Sequence, residues 1–580
     1  MKKLMQIIMI LAAGQAMLFS QETEITVPLR FDHYYTYDQV VQAMKALNKA
    51  YPGLTTLEMI GKSEEDRGVW AMTINNPKTG DPLGKPGVYV DGNIHGNEIQ
   101  AAEVALYFMQ YILENYGKNE QVTKIVDKNA YYVIPVVNVD GRYHFFADPN
   151  TSSSNRGLRR PKDDDRDGLF DEDFPDDLNG DGSIGTMRKK DPFGEYKTDP
   201  EDERLMVRVK PGEQGEWTRL GEEGIDNDGD GRINEDSEGY VDGNRNWPFN
   251  WEPHYVQSGS GDYPLSGTGI KAIANYVTAR PNIIVAYAFH NSGGMYLRGP
   301  GTKSLGEFPR SDVEVYDYLG EHFESIVPGY RYMIGWKDLY PTYGDFGGFM
   351  DNILGAYTFV GELFQSSTET YALAASESAP ASGRQFGRGA RDRERLKFND
   401  NVVQGELYLD WKPYNHPVYG EIEIGGWSKM SSRLPHPFML PDLVHRNAST
   451  IIFSSENTPE VSLDVFETKK VGKDLYRVRV RLENKKAMPT MTYNSVKNKI
   501  HRMDILSVSG KGLKVVSGGM LQDEYTDRVS YKDDKPEIQF IQVPGFGKVE
   551  YQFLVSGKGI VEIKYESLKA GKLSKKVELK

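Results

Sequence analysis

The sequence predicts an α/β fold, in which a mixed and mostly parallel sheet is flanked by helices, followed by an all-β domain. Three near-continuous apolar runs, at residues 131–139, 281–290 and 356–364, have the composition of strands that are buried on both faces. Segments with helical periodicity alternate with such runs, and this alternation is typical of a sheet covered on both sides. Ligands of such sheets bind at the carboxyl ends of the strands, so functional residues are expected there.

The first twenty residues have the pattern of an export signal. Two lysines stand near the start, residues 4–18 are apolar except for Gln6, Gly14 and Gln15, and polar residues begin at Ser20. A membrane anchor is the alternative, but the run is short for a bilayer crossing. We expect a signal peptide at residues 1–20 and no transmembrane segment after its cleavage. The protein is then expected in a bacterial periplasm, at the cell surface or outside the cell.

The first elements of the α/β domain can be assigned in chain order. Residues 36–50 have an amphipathic helical pattern that ends at the stop signal Tyr51-Pro52-Gly53. Residues 68–74 and 87–92 have the composition of strands. Residues 98–116 form a long apolar-periodic stretch, which predicts a helix that begins soon after the second of these strands.

Two changes of composition indicate an insertion and a second domain. Residues 155–240 are rich in Asp, Gly, Arg and Glu with few apolar runs, which indicates an insertion within an α/β domain of residues 25–445. Beyond residue 450, apolar and polar residues alternate with a period of two in short segments. We therefore expect residues 450–580 to form a β-sandwich.

Charge and cysteine content exclude several classes of protein. The net charge of −14 makes a nucleic-acid partner improbable, because such partners are held by basic surfaces that release counterions. The chain has no cysteine, which excludes disulfides, thiolate zinc sites and a cysteine nucleophile. Any metal must therefore be held by His, Asp and Glu.

Three residues at the predicted strand ends could hold a catalytic zinc ion. His95 and Glu98 lie where a strand gives way to a helix, and His290 ends a buried strand. A catalytic zinc needs three protein ligands and one position open to water. The His-x-x-Glu spacing is common by chance, and a lone His at a strand end is commonly a structural residue. Two such His in a chain with only 10 His favour one zinc site.

Glu362 stands in an otherwise apolar strand, Thr358–Leu363. An ionised carboxylate there costs several kcal/mol unless it is paired or has a chemical task. A salt-bridged Glu inside the sheet is the structural alternative. A general base beside a zinc-bound water is the functional one.

Taken in order, these motifs resemble the zinc metallocarboxypeptidase family (peptidase family M14, carboxypeptidase A-like) from about residue 30 to 440. The motifs that carry the resemblance are His95-x-x-Glu98, Asn244-Arg245-Asn246-Trp247, His290, Tyr343 with Gly347-Gly348 and Asp351, and Glu362. The resemblance implies a carboxypeptidase-like fold, zinc bound by His95, Glu98 and His290, and Glu362 as the general base.

Further roles are implied by the same resemblance. Asn244 and Arg245 would bind the C-terminal carboxylate of the substrate, and the phenol of Tyr343 would close over it. Arg159 matches the arginine that stabilises the oxyanion, with Arg160 and Arg188 as competitors. Met350 would help to shape the pocket for the last side chain, which favours an apolar or neutral residue.

The insertion contains three acidic segments that resemble calcium loops. Each alternates Asx residues before a glycine, as calcium loops require, but none has Glu at the twelfth position. The candidate ligands are Asp163, Asp165 and Asp167 in the first segment, Asp177, Asn179 and Asp181 in the second, and Asp226, Asp228 and Asp230 in the third. A solvated acidic loop without a cation is the alternative.

The sequence thus predicts an exported zinc carboxypeptidase that acts on peptide or protein C-termini and carries structural calcium. Two alternatives remain open at this point. One is a zinc amidase of the same core that acts on cell-wall peptides. The other is a catalytically dead, calcium-dependent surface binding protein, which the presence of all three zinc ligands and Glu362 disfavours.

Overall fold

The computed structural model describes residues 25–163, 166–236, 239, 241–365, 388–431 and 433–580, so the predicted signal peptide lies outside the described residues. The strands are β1 (Thr55–Lys62), β2 (Gly68–Ile74), β3 (Gly87–Gly92), β4 (Ala130–Ile134), β5 (Thr186–Lys190), β6 (Tyr196–Thr198), β7 (Met206–Arg208), β8 (Trp217–Glu222), β9 (Ile283–Asn291), β10 (Met295–Arg298), β11 (Arg331–Ile334), β12 (Tyr357–Leu363), β13 (Tyr408–His416), β14 (Gly420–Trp427), β15 (Val461–Gly472), β16 (Leu475–Asn484), β17 (Asp504–Ser509), β18 (Lys514–Asp523), β19 (Arg528–Tyr531), β20 (Ile538–Ile541), β21 (Gly547–Ser556), β22 (Gly559–Glu566) and β23 (Lys572–Leu579). The helices are α1 (Tyr37–Ala50), α2 (Gln100–Asn115), α3 (Glu120–Lys128), α4 (Val139–Ala147), α5 (Thr268–Thr278), α6 (Arg310–Ile326), α7 (Phe346–Phe349), α8 (Arg388–Asn401), α9 (Leu440–Glu456) and α10 (Tyr493–Asn498).

An eight-stranded mixed sheet in the order β1-β2-β4-β3-β9-β12-β10-β11 forms the centre of the α/β domain. Its central strands β4, β3, β9 and β12 are parallel to one another, and β3, β4 and β9 are buried along their whole length. Helices α1, α2, α5, α6 and α9 contribute buried side chains to the same hydrophobic core. The parallel strands place the carboxyl ends of β3, β9 and β12 at one edge of the sheet.

The predicted apolar runs correspond to strands, with one difference. Residues 281–290 and 356–364 contain β9 and β12, as expected. The run at 131–139 contains only the short strand β4, and α4 begins at its last residue. Asn138 caps that helix by accepting a hydrogen bond from the N–H of Gly141 at 2.9 Å. The apolar composition continues through the turn because residues there, such as Val136 and Val137, are also buried.

The insertion folds against a later part of the chain. Strands β5 to β8 form one antiparallel sheet with β13 and β14, in the order β13-β14-β5-β8-β6-β7. The guanidinium of Arg188 lies between the rings of Trp217 and Trp411, 4.0 and 3.9 Å from their centroids. Its charge is paired with Glu423 at 2.7 Å. The region of few apolar runs therefore contains strands of a sheet that is completed by β13 and β14, which lie far along the chain.

The C-terminal residues form two sheets that share one core, in the orders β15-β16-β21-β18-β19 and β20-β17-β22-β23. Helix α9 packs on the core of the α/β domain, so the predicted boundary at residues 445–450 falls inside a helix. The buried ammonium of Lys569 donates hydrogen bonds to the carbonyl oxygens of Ile283, Leu354 and Gly355 and joins the two domains. Within the described residues, no helix has the length and apolar character that crossing a membrane requires.

Candidate active site

Two neighbouring strands bring three metal-binding side chains together. His95 and Glu98 lie in the segment between β3 and α2, and His290 is the penultimate residue of β9. Because β3 and β9 pair in parallel, with Gly92 opposite Phe289, both segments emerge at the same edge of the sheet. All three side chains are at most 4% exposed.

The three side chains converge on a common point. Nδ1 of His95 lies 2.9 Å from one carboxylate oxygen of Glu98, and Nδ1 of His290 lies 3.0 Å from the other. The two Nδ1 atoms are 3.2 Å apart. Although burial opposes ionisation of Glu98, the two imidazoles hold its pKa below the ordinary range. Two imidazole nitrogens and a carboxylate that face one another are a donor set that fits zinc, and a fourth position remains for water or substrate.

An acidic residue that sequence reasoning missed supports the first ligand. Asp242 Oδ1 lies 3.0 Å from Nε2 of His95, on the side of the ring opposite to Nδ1. Burial alone would raise the pKa of Asp242, but the charges of His95, Arg245 and Arg156 hold it well below its usual range. An ionised carboxylate at this position orients the ring and leaves Nδ1 free to bind a metal. The only sequence signal for it was its place two residues before Asn244.

Glu362 lies beside these three candidate metal ligands. Strand β12 pairs in parallel with β9, and Glu362 stands opposite His290. Both residues line the same cavity. Burial raises the pKa of Glu362, and the nearby Glu98 carboxylate raises it further against the opposing effect of the two imidazoles. A carboxylate at this position beside the candidate metal ligands can accept a proton and return it.

Asn244 and Arg245 also line this cavity, and both are buried. Asn244 Oδ1 accepts a hydrogen bond from the N–H of Phe346 at 2.9 Å, which fixes the amide against the start of α7. Nη1 of Arg245 donates to the carbonyl oxygen of Asn244 at 2.7 Å. The guanidinium is therefore held in place at the wall of the cavity, where it can meet a carboxylate.

The structure brings Arg156, and not Arg159, to the cavity. Arg156 lies 3.3 Å from both Glu98 and Asp242. Leu158 forms a bridge with Val241 and is buried in the core, which turns the next residue away. Arg159 instead pairs with Glu65 at 3.2 Å and donates to Asn155. The two other candidates are also elsewhere: Arg160 lies near Asp262, and Arg188 is stacked in the insertion.

Two predicted substrate-binding residues are not among those that line the cavity. Tyr340 lines it, while Tyr343 donates its backbone N–H to Gln257 at 3.2 Å. Met350 is completely buried in the core. The apolar wall of the cavity is formed instead by Met295, Leu297 and Val360.

The acidic segments of the insertion form several groups of carboxylates. Asp163 accepts hydrogen bonds from the N–H groups of Arg166 and Gly168 within its own loop, and Asp165 lies outside the described residues. The groups whose oxygens lie within 4.8 Å of one another are Asp167 with Glu172 and Asp228, Asp173 with Asp228 and Glu235, Asp177 with Asp181 and Glu223, and Asp226 with Asp228 and Asp230. Glu172, Glu223 and Glu235 were not predicted as ligands.

Comparison with known proteins finds similarity to carboxypeptidases. Residues 40–209 match the family model described as zinc carboxypeptidase (peptidase M14), and residues 460–578 match a domain of unknown function, DUF8731. Human carboxypeptidase D is 32% identical over 135 residues, which cover 23% of this chain and 10% of that protein. Mouse carboxypeptidase A2 is 30% identical over 148 residues, which cover 26% of this chain and 33% of that protein. The chain thus matches a third or less of the length of these relatives.

Among solved structures, the carboxypeptidase A of Helicoverpa armigera aligns with a TM-score of 0.40 and 17% identity, covering 70% of this chain and 79% of that one. The thrombin-activatable fibrinolysis inhibitor aligns with a TM-score of 0.40 and 16% identity over 57% of this chain and 69% of that one. The α/β domain has the carboxypeptidase-like fold that the sequence predicted, and the C-terminal part adds further β-sheets.

Proposed function

We propose that this chain, in which residues 40–209 match the zinc carboxypeptidase family model, is an exported metallocarboxypeptidase that removes the C-terminal residue of peptides. One observation carries the proposal. The three metal-binding side chains, Glu362, Asn244 and Arg245 line a single cavity at the carboxyl edge of the sheet. A hydrolytic centre beside a cation that binds a carboxylate is what cleavage at a chain end requires.

His95, Glu98 and His290 would hold the zinc ion, and Asp242 would orient His95. When bound, zinc supplies Lewis-acid polarisation of the scissile carbonyl and makes a water acidic enough to ionise near neutral pH. The three ligand side chains are buried away from water, and electrostatic interactions with a bound ion are stronger in such surroundings.

Glu362 would accept the proton of the attacking water and then pass it to the nitrogen of the leaving amine. Its position opposite His290 in the sheet places it at the same edge as the metal ligands. A carboxylate held at this position can accept the proton and return it within one turnover.

Arg156 would stabilise the negative charge that develops on the carbonyl oxygen. Arg156 lines the cavity and contacts both Glu98 and Asp242, so we assign to it the role that the sequence resemblance gave to Arg159. Arg433 also lines the cavity and lies 3.5 Å from Glu98, but its guanidinium donates to the carbonyl oxygen of Asn291 at 2.8 Å. A guanidinium held in place by Asp242 is preorganised and needs no rearrangement during the reaction.

Asn244 and Arg245 would bind the terminal carboxylate and so determine where the chain is cut. The planar fork of Arg245 can form two parallel hydrogen bonds with it. The side chain of the terminal residue would then enter the part of the cavity lined by Met295, Leu297 and Val360.

The proposal is tested by incubating the purified protein with a mixed library of L-peptides and following the products by mass spectrometry. We expect loss of single C-terminal residues that stops when zinc is removed and resumes when zinc is restored. Peptides with an amidated C-terminus serve as matched controls and should be cleaved far more slowly. Cleavage at internal bonds, or of muropeptides alone, would contradict the proposal.

Export and a second metal belong to the same proposal. Export is tested by locating the protein in fractionated cells with and without residues 1–20. We propose calcium as the metal of the acidic insertion. Carboxylates between residues 167 and 235 form groups of three whose oxygens lie within 4.8 Å of one another, and this supports the proposal.

A further inference from the structure

The loop from Asp177 to Ser183 has the sequence of a calcium loop that lacks its last ligand. Asp177, Asn179 and Asp181 alternate before Gly182. The N–H groups of Gly180 and Gly182 donate hydrogen bonds to the two oxygens of Asp177, both at 2.8 Å. In loops of this type the twelfth residue is a Glu that binds the ion through both oxygens.

Counted from Asp177, the twelfth position is occupied by Arg188, which cannot bind a cation. The guanidinium of Arg188 is engaged elsewhere, between two tryptophan rings and beside Glu423. Any last carboxylate must therefore come from another part of the chain.

Glu223 arrives at this loop from the end of β8. Strand β8 pairs with β5, which follows the loop directly, and the N–H of Glu223 donates to the carbonyl oxygen of Gly185 at 3.1 Å. Oxygens of Glu223, Asp177 and Asp181 lie within 4.8 Å of one another. The pairing of two strands thus places a Glu where the loop sequence has none.

The environment of Glu223 points to a missing cation. The side chain is fully buried, and within the described part of the chain its Oε1 has no hydrogen-bond partner. Its Oε2 lies 3.5 Å from Nδ2 of Asn179. The side-chain charges that act on it most strongly are those of Asp181, Asp177 and Asp176, all of which are negative. A buried carboxylate oxygen without a partner, surrounded by like charges, is costly unless a cation neutralises it.

We propose that Asp177, Asn179, Asp181 and Glu223 form a calcium site, in which Glu223 supplies the carboxylate that the loop itself lacks. All four side chains offer oxygen ligands, three of them on a loop bent at glycines, which suits the large and flexible coordination shell of Ca²⁺ better than the strict octahedron of Mg²⁺. The site shares no residue with the zinc centre, so its test does not depend on peptide hydrolysis.

The bound ion would tie the loop to the end of β8 and so hold the insertion together. The residue after the loop, Ile184, donates its N–H to the carbonyl oxygen of Asn150 at 3.2 Å. Asn150 in turn accepts a hydrogen bond from Asn155, the neighbour of Arg156, at 2.8 Å. The calcium loop is therefore linked by two hydrogen bonds to the segment that carries Arg156.

The test compares Glu223→Gln with Glu222→Gln in the full-length protein, because the neighbouring Glu222 is exposed and serves as a matched control. Bound calcium is counted by mass spectrometry of the metal after dialysis, and affinity is measured by calorimetric titration with Ca²⁺ and with Mg²⁺. We expect wild type and Glu222→Gln to bind equally and Glu223→Gln to bind one Ca²⁺ fewer per chain, with affinity at that site at least about tenfold weaker.

Thermal unfolding distinguishes an ion ligand from a merely structural residue. Without calcium, Glu223→Gln should unfold at a temperature equal to or above that of wild type, because the substitution removes a buried negative charge. With calcium, only wild type and Glu222→Gln should gain stability at this site. If Glu223→Gln does not fold, Asp181→Asn in the exposed part of the loop replaces it, with the same loss of one ion expected. Equal calcium binding by all variants, no binding by wild type, or Mg²⁺ binding as tight as Ca²⁺ would overturn the proposal.

Discussion

Oδ1 of Asp242 lies 3.0 Å from Nε2 of His95, on the side of the imidazole that faces away from Glu98 and His290. The carboxylate therefore holds the proton on Nε2 and leaves Nδ1 as the metal-binding nitrogen. The backbone N–H of Asn244 donates to the same oxygen at 2.7 Å. One acid thus connects the orientation of a zinc ligand with the turn that presents Asn244 and Arg245.

Replacement of Asp242 by Ala should weaken zinc binding without removing a zinc ligand. Loss of such an outer carboxylate typically lowers metal affinity about 10- to 100-fold, because the ring loses its fixed orientation. Competition with a fluorescent zinc chelator measures the change. Asp262→Ala is the control, since that side chain is 70% exposed. Equal zinc affinity of the two variants would contradict the role of Asp242.

Arg156 and Arg159 can be distinguished by two alanine variants. We expect Arg156→Ala to lower kcat about 100- to 1,000-fold, the typical cost of removing a group that stabilises an oxyanion. Arg159→Ala should change kcat little, because Arg159 pairs with Glu65 outside the cavity. Zinc content is measured in parallel, since Arg156 also contacts Glu98. A large loss for Arg159→Ala with normal kcat for Arg156→Ala would return the role to Arg159.

Arg245 should determine the requirement for a free C-terminal carboxylate. Loss of charged hydrogen bonds of this kind costs about 1.5–3 kcal/mol, so KM for a peptide acid should rise about 10- to 100-fold in Arg245→Ala. The preference for the acid over the corresponding amide should fall by the same factor. Arg245→Lys keeps the charge but not the fork, and it should recover only part of the preference. An unchanged ratio of acid to amide cleavage in Arg245→Ala would place carboxylate recognition elsewhere.

Asp351, one of the motif residues, should make the stability of the α/β domain depend on pH. It is buried, accepts a hydrogen bond from the phenol of Tyr316 at 2.9 Å, and burial raises its pKa to about 8. The unfolded Asp ionises near pH 4, so between pH 4 and 8 the folded chain binds more protons and wild type loses stability as pH rises. The loss is at most about 1.4 kcal/mol per pH unit.

The pH effect is measured as the difference in unfolding temperature between wild type and Asp351→Asn. The variant cannot ionise, so its unfolding temperature should rise relative to wild type from pH 5 to pH 8 and stay constant above that. Parallel curves for the two proteins across this range would show that Asp351 is not the group that titrates.

The sequence alone pointed to candidate site residues at or near strand ends. Glu362 interrupts a strongly apolar strand, His290 lies near the end of another, and His95 and Glu98 follow a third, so these polar residues stand out against their neighbours. Asp242 could not be predicted in this way, because its partner His95 is 147 residues away and only the tertiary fold brings them together.

The insertion also depends on contacts between residues that are distant in sequence. Its acidic spacing predicted calcium ligands in each loop, but Glu223 reaches the second loop only through the pairing of β5 with β8. The apolar partners of its sheet lie in β13 and β14, far along the chain, so residues 155–240 lacked the runs by which strands are identified. Local patterns indicate ligands and strands, whereas pairing between distant strands determines which of them meet.

The central claim is that Glu362 transfers protons at a zinc centre that cuts peptides at their C-terminus. The most direct measurement is the rate of release of the last residue from one L-peptide by wild type, Glu362→Gln and the exposed control Glu321→Gln, each with its zinc content determined. We predict full activity for wild type and Glu321→Gln. Glu362→Gln should retain zinc and lose at least about 100-fold in kcat, because removal of a positioned base costs that much or more. A Glu362→Gln variant that binds zinc and releases the residue at the wild-type rate would contradict the account.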